Sequence, residues 1–390
     1  MVYITGNIPQ GNCINVKYLG DNHYECETQI PDSTMSVIFY AKVTGQKGDV
    51  LHLNIKLPPY DPADQGKTTQ YKNQSFAPAA VETIYTSEDQ RNWKRIEDAK
   101  LENWTLIFDV PLTANECYVS INLYYTIPMW EDLQRAMAVS PFVERKVVAH
   151  SMGGEEVVLF KVTDPTVPVS EKEIVYLQGA QHCAEFSGPN VLDGVLRFLA
   201  DGLDEAGELL KKYEFHVVPI VEPTGWIRGQ RGGYSGVNPN RDWMDFRLSQ
   251  TKALDAYLRA LPKKPFILID IHNGWSSYEK DGAGVSVVEA FNPSPVYDAQ
   301  IEFERMMKEE CDYLSPAVHW RPQCDPSIFK DYAQKHFGFG FTFEFARFCI
   351  WDRALGKRVP ISQARYRRFA RQLVHAIDHF AKISLEKGWR

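Results

Sequence analysis

The sequence predicts an all-β antiparallel sandwich over residues 1–126, followed by an α/β domain over residues 127–390 with helices on both faces of a mostly parallel or mixed sheet. Three observations carry this. Apolar and polar residues alternate in the first third of the chain, no helical period of useful length occurs before residue 126, and beyond it short apolar runs alternate with amphipathic stretches.

In the first part, Val37, Phe39, Ala41 and Val43 form one alternating set. Leu51, Leu53, Ile55 and Leu57 form a second, and Cys117, Val119, Ile121 and Leu123 a third. Successive side chains of a strand point to opposite faces, so this is the pattern of half-buried strands. The clusters Thr44-Gly-Gln-Lys-Gly-Asp49 and Pro58-Pro-Tyr-Asp-Pro62 supply turns between them. Short strands joined this way pack face to face as a sandwich.

Beyond residue 126, strand candidates fall around 156–163, 174–179, 214–220, 266–271 and 341–346. Amphipathic stretches over Val191–Lys212, Ser249–Leu261 and Ala299–Tyr313 separate them as helices. A last helix over Ser362–Glu386 carries Phe369, Leu373, Ile377 and Phe380 on one face, with Ser362 as its N-cap. A domain of this length suits one large core.

Composition bounds the function. With 390 residues, 44% apolar and 13% aromatic, the chain has material for two cores. A net charge of −7 argues against nucleic acid as a partner. The first residues lack a basic stretch followed by an apolar one, and no apolar run approaches about 18 residues, so the expectation is a cytoplasmic protein with no membrane partner. Seven scattered cysteines fit reduced thiols better than a disulfide framework.

Chemistry-bearing residues cluster at the ends of the predicted strands. His182 and Glu185 follow the apolar run Ile174–Gly179, and His272 follows Pro265–Ile271. Open α/β sheets bind ligands at the carboxyl ends of their strands. Two imidazoles and a carboxylate there can hold zinc at about 2.0–2.2 Å and leave a fourth position for water, as a catalytic site requires. A lone His-x-x-Glu arises often by chance, and a histidine ending a strand is commonly a core residue. The order of several motifs along one chain is what raises the pair above that background.

That order resembles the zinc carboxypeptidase family and, within it, the cytosolic carboxypeptidase branch. The matching stretches are Gln181-His-Cys-Ala-Glu-Phe-Ser-Gly188, the block from Arg231 to Trp243 containing Asn240-Arg241, Ile269-Asp-Ile-His-Asn-Gly274, and Phe341-Thr-Phe-Glu-Phe345. Upstream, Ser151–Asp164 is similar to the family's first catalytic-domain strands, and Tyr124–Leu133 to the join between a β-sandwich and the peptidase domain. The resemblance implies a carboxypeptidase-like fold and one Zn2+ per chain held by His182, Glu185 and His272. It implies Glu344 as general base, Arg231 as the oxyanion donor, and Asn240 with Arg241 as the clamp on a substrate's terminal carboxylate. A bound zinc lowers the pKa of its water to about 7 and polarises the scissile carbonyl.

The implied substrate is the C-terminal amide bond of a peptide or protein. Deglutamylating members of the branch suggest an acidic last residue, for which Lys330 or Lys335 would be the partner, and Tyr332 stands where a mobile tyrosine is expected. Three departures from the family pattern bear on the site, and the first and last of them keep open a second substrate class, an N-acyl amino acid or other small amide. The family's usual Asn-Pro-Asp-Gly is Glu222-Pro-Thr-Gly225 here, its Asp two residues before the clamp Asn is Asn238, and its His-Gly-His-Ser or His-Ser-Tyr is His272-Asn-Gly-Trp275. An amide at 238 would support a ligand histidine less strongly than a carboxylate. His375 and His379, four apart on the last helix, lack an adjacent Glu and read as a helix face. Cys183 reads as a buried thiol.

Overall fold

A computed structural model describes residues 1–28, 38–57, 80–229, 235–273, 287–291, 297–313, 320–321, 325–346 and 348–389. Val37, the cluster 58–62, Arg231 and the stretch from Gly274 to Trp275 lie outside the described residues.

The alternating sets of the first part fold as two five-stranded sheets. One runs in the order β1 (Tyr3–Thr5), β4 (Phe39–Thr44), β10 (Glu116–Ile121), β6 (Ile84–Ser87), β7 (Lys94–Ile96). The other runs β2 (Cys13–Gly20), β3 (His23–Thr28), β5 (Val50–Lys56), β9 (Thr105–Pro111), β8 (Lys100–Glu102). Phe39, Ala41, Val43, Val119 and Ile121 from the first pack on Leu51, Leu53, Ile55 and Phe108 from the second, in one buried cluster. Every neighbouring pair is antiparallel except β3 and β5, which are parallel. The chain crosses to the opposite sheet through β4 between them, so it returns in the same direction.

The second part is built on an eight-stranded sheet of order β11 (Val143–His150), β12 (Glu156–Val162), β14 (Tyr213–Val218), β13 (Glu173–Gly179), β15 (Ile267–Asn273), β18 (Phe339–Phe345), β16 (Val287–Phe291), β17 (Trp320–Arg321). Its centre, β14-β13-β15-β18, is parallel. The joins β11–β12, β12–β14 and β16–β18 are antiparallel, which makes the sheet mixed. Eight helices of the described residues accompany it: α1 (Ile127–Ala138), α2 (Ser187–Ala200), α3 (Asp204–Lys212), α4 (Pro223–Ile227), α5 (Ser249–Arg259), α6 (Tyr297–Glu310), α7 (Phe329–His336) and α8 (Gln363–Glu386).

Alternation along the central strands sorts their side chains between two layers. Phe341, Phe343 and Phe345 face α6 and α8, with ring centroids 4.5 Å from Phe303 for Phe341, and 5.0 and 4.8 Å from Phe369 for the other two. Tyr176 and Leu268 face the opposite way, toward Leu254 of α5 and Phe329 of α7. Both faces are therefore covered, and the central strands are buried except for Glu173 at the start of β13.

Some boundaries differ from expectation. The single helix foreseen over 191–212 is two, broken where Gly202 adopts φ +61 after the last turn of α2. Glycine takes that left-handed conformation without a Cβ penalty and ends helices for that reason. After β18, a hairpin of β19 (Cys349–Asp352) and β20 (Lys357–Pro360) reaches back, so that Phe348 and Cys349 sit in the sandwich core. Ser362 caps α8 as expected, its Oγ accepting from the Arg365 N–H at 3.3 Å.

Candidate metal centre

β13 ends at Gly179, and the chain turns sharply through Ala180, which holds φ +50. A residue with a Cβ in that conformation is strained, and such strain gathers at functional loops. The loop returns to the sheet at Gly188, where an added Cβ would lie 2.7 Å from the Ile271 carbonyl oxygen. That close approach of α2 to β15 brings Glu185 to His272.

Three donor groups converge there. Glu185 Oε1 is 3.0 Å from His182 Nδ1, and its Oε2 is 2.7 Å from His272 Nδ1. One ligand atom from each of the three residues lies within 4.8 Å of the others. The side chains of Glu185 and His272 are 3% exposed and that of His182 is 16% exposed, so the cluster is closed from below and open on one side. Two imidazole nitrogens and a carboxylate are the donor set of a catalytic zinc site, and their convergence fits the ion.

The outer nitrogens of both imidazoles are engaged. His182 Nε2 is 3.0 Å from Asn238 Oδ1, which also accepts the Asn240 N–H at 2.9 Å. A backbone N–H can only donate, so that atom is the amide oxygen and His182 Nε2 carries the proton. His272 Nε2 is 2.5 Å from Asp270 Oδ2. Burial of His272 pushes its pKa down, yet the carboxylates of Asp270 and Glu185 outweigh that and hold it well above the usual value. Burial likewise raises Glu185, and the imidazoles of His182 and His272 override it, holding the carboxyl well below its usual range.

Glu344 stands on β18 opposite His272, its register partner on β15. In a parallel pair, partners in register point to the same side, so Thr342 and Glu344 share the face of Asp270 and His272. Glu344 is 8% exposed. It is thus buried beside His272 and not on a half-exposed strand.

The other expected residues are placed less uniformly. Asn240, in a short turn over Pro239–Arg241, has its Oδ1 accepting from the Phe329 N–H at 3.0 Å and its Nδ2 3.2 Å from His272 Nε2. Arg241 stays at the rim, 43% exposed, with Nη1 donating to the Asn240 carbonyl at 2.6 Å and Nε 3.9 Å from Asp325 Oδ2. Tyr332, expected as a mobile tyrosine, and Lys330, expected as the partner of an acidic residue, both belong to α7. Tyr332 is buried against Trp243 and Phe246, its hydroxyl donating to Asp255 Oδ1 at 2.6 Å and meeting Arg259 at 2.5 Å. Lys330 is buried with Nζ 2.9 Å from Asp331 Oδ1, so its charge is balanced within the helix.

Glu222, the unusual residue of the Glu222-Pro-Thr-Gly225 segment, caps α4 by accepting from the Gly225 N–H and also accepts from Gln250 Nε2. Its role here is to hold a loop. Cys183 is buried among apolar side chains. His375 and His379 pair with Glu205 and Glu310 on the surface of α8. Sequence reasoning passed over Asp270, although its signal was available: it lies two residues before His272 on one strand, hence on the same face.

Comparison with known proteins follows the same line. Residues 130–260 match the zinc carboxypeptidase family. The chain is 26% identical over 190 residues to cytosolic carboxypeptidase 1 of Danio rerio, a match covering 43% of this chain and 16% of that protein. It is 27% identical over 148 residues to cytosolic carboxypeptidase 2 of the same fish, covering 36% and 20%. The chain thus spans a minor part of the length of the curated relatives it matches. Among solved structures, a metallo-carboxypeptidase from Burkholderia cenocepacia superposes with a TM-score of 0.77 at 18% identity, covering 98% of this chain and 100% of that one. A metallo-carboxypeptidase from Pseudomonas aeruginosa, in complex with (2-guanidinoethylmercapto)succinic acid, gives 0.78 at 15%, covering 97% and 99%. At these identities the likeness is one of fold, and it extends over both parts of the chain. No helix of the described residues is long and apolar enough to cross a membrane.

Proposed function

We propose, from the match of residues 130–260 to the zinc carboxypeptidase family, that this chain is a hydrolase removing the last residue of a peptide or protein. The observation that carries the reading is the convergence of His182, Glu185 and His272 at the carboxyl ends of β13 and β15, with Glu344 in register with His272 on the next strand. His182, Glu185 and His272 would hold zinc. When bound, zinc supplies Lewis-acid polarisation of a carbonyl and a lowered pKa for water, to about 7.

The remaining work falls to side chains. Glu344 takes a proton from the attacking water and delivers it to the nitrogen of the departing residue, so one carboxylate serves as base and then as acid. Arg241 at the open rim and Asn240 beside His272 hold the substrate's terminal carboxylate. A planar guanidinium can grip that group through two parallel hydrogen bonds. Such a clamp restricts cleavage to the chain end. Arg231, outside the described residues, is retained as the donor to the developing oxyanion.

A mass-spectrometric panel tests this. It holds peptides varied at the last residue, Glu and Asp included, their C-terminal amides, and N-acyl amino acids. Release of single residues from free-acid peptides and not from their amides is expected. Cleavage confined to the N-acyl amino acids would overturn the peptide reading. Glu344→Gln is expected to keep zinc at wild-type stoichiometry while turnover falls by roughly 10²–10⁴-fold, the usual worth of a positioned general base. An active Glu344→Gln protein would remove Glu344 from the chemistry.

A further inference from the structure

We infer that Trp243, Gln181 and Asp270 form a positioning relay that commits His272 to offering Nδ1, and never Nε2, to the metal. The inference rests on the reading of His272 as a ligand. The relay has a fixed direction. An indole N–H can only donate, and Trp243 Nε1 donates to Gln181 Oε1 at 2.8 Å. That contact settles which end of the Gln181 amide is which, so Nε2 donates onward to Asp270 Oδ2. A carboxylate oxygen accepts, and the same Oδ2 lies 2.5 Å from His272 Nε2, which must therefore carry the hydrogen.

One neighbour pulls the other way. Asn240 Nδ2 lies 3.2 Å from His272 Nε2, and its amide is oriented by the Phe329 N–H on Oδ1, so it too presents a donor. A bare Nε2 would suit Asn240. The contact with Asp270 decides the matter, at 2.5 Å against 3.2 Å and with a charged acceptor, which makes it about twice as strong as a neutral one. Asn240 Nδ2 is then left for a substrate oxygen.

The burial of the relay argues that it serves a purpose beyond packing. Trp243, Gln181 and Asp270 are each fully buried. Asp270 Oδ1 has no hydrogen-bond partner among the described residues, and neither do Gln178 Nε2 and Thr342 Oγ1, on its register partners in β13 and β18. A carboxylate so placed is costly to the fold. What it gains is the contact from Oδ2 to the ligand. The relay also joins three separate segments, since Trp243 follows Arg241 by two residues, Gln181 precedes His182, and Asp270 precedes His272 by two.

Gln181→Met keeps the length of the side chain and removes both hydrogen bonds. Zinc affinity is read by competition with a chelator. Long-range 15N NMR of the zinc-loaded protein shows which nitrogen of His272 is protonated. The expected result is zinc binding weakened by about tenfold or more, in the range found for partners of ligand histidines, together with a shift of the Nε2-protonated signal as Asp270 loses its support. Should Gln181→Met not fold, Trp243→Phe severs the relay one bond farther back and is judged on the same two readings. Affinity within about twofold of wild type with an unchanged Nε2–H signal would overturn the relay. A wild-type protein that takes up no zinc would instead overturn the metal reading itself.

Discussion

Asn238 offers a direct measure of how the centre is tuned. Its Oδ1 accepts from His182 Nε2 at 3.0 Å and from the Asn240 N–H at 2.9 Å. Asn238→Asp would keep both contacts and make the acceptor anionic, and Asp is as good a cap for the turn that follows, so the fold should not suffer. A neutral hydrogen bond contributes about 1 kcal/mol net and one to a charged group about 1.5–3, a gain of roughly 1 kcal/mol. Asn238 is exposed, so solvent screening trims that to about 0.5–1 kcal/mol. The converted expectation is zinc binding tightened by roughly two- to fivefold. Chelator competition on both proteins at one pH and ionic strength measures it. Unchanged or weaker binding by Asn238→Asp would refute the assignment of His182 as a ligand supported through Nε2.

Two further outcomes follow from the same geometry. His272 is held above its usual pKa of 6.5, so around neutrality the metal-free imidazole carries a proton that zinc must displace. Zinc uptake should release about one proton, and affinity should rise with pH up to the raised folded value, which calorimetry in buffers of different ionisation enthalpy checks. The stability that His272 adds to the metal-free fold is fully present below pH 6.5 and fades as pH rises through that folded value. The depressed Glu185 behaves oppositely, adding stability above pH 4.5 that is lost as pH falls through its folded value. Tyr124→Leu probes how the sandwich reaches the centre. The ring is fully buried, 4.8 Å from Tyr40 and 4.0 Å from Phe186, and its hydroxyl accepts from Asn12 Nδ2 at 2.9 Å. Denaturant unfolding should show a loss of about 2–4 kcal/mol, and zinc binding should weaken because Phe186 adjoins Glu185.

Much of this molecule is legible in the sequence where one local pattern suffices. Period-two alternation located β4, β5 and β10, and apolar runs located β13, β15 and β18 with their exits, so His182, Glu185 and His272 could be assigned to strand ends. The helix α7 was not legible. Phe329, Lys330 and Asp331 are buried alike, so neighbouring polar and apolar residues do not separate onto two faces as amphipathic patterns require. Long-range contacts were equally hidden. Ile38 and Tyr40 pack in one cluster with Ala180, Cys183, Ala184 and Phe186, so the sandwich buttresses the loop bearing His182 and Glu185, and nothing in either segment alone announces its partner.

The departure at Asn238 and the presence of Asp270 are best understood together. The family resemblance implies a carboxylate at position 238, and this chain has an exposed amide there. A carboxylate, Asp270, stands behind His272, in full burial, where its interaction is least screened. Glu185 and Asp270 already contact His272, and Glu344 is its register partner on the next strand, so three carboxylates surround that imidazole. Asn238→Asp would therefore add a carboxylate to Glu185, Asp270 and Glu344, and not merely restore one. The added negative charge disfavours the ionised form of Glu344, so tighter zinc binding should come with an acidic limb of the rate profile moved to higher pH. A rise in affinity without that movement would mean that Glu344 is too far from Asn238 to sense it.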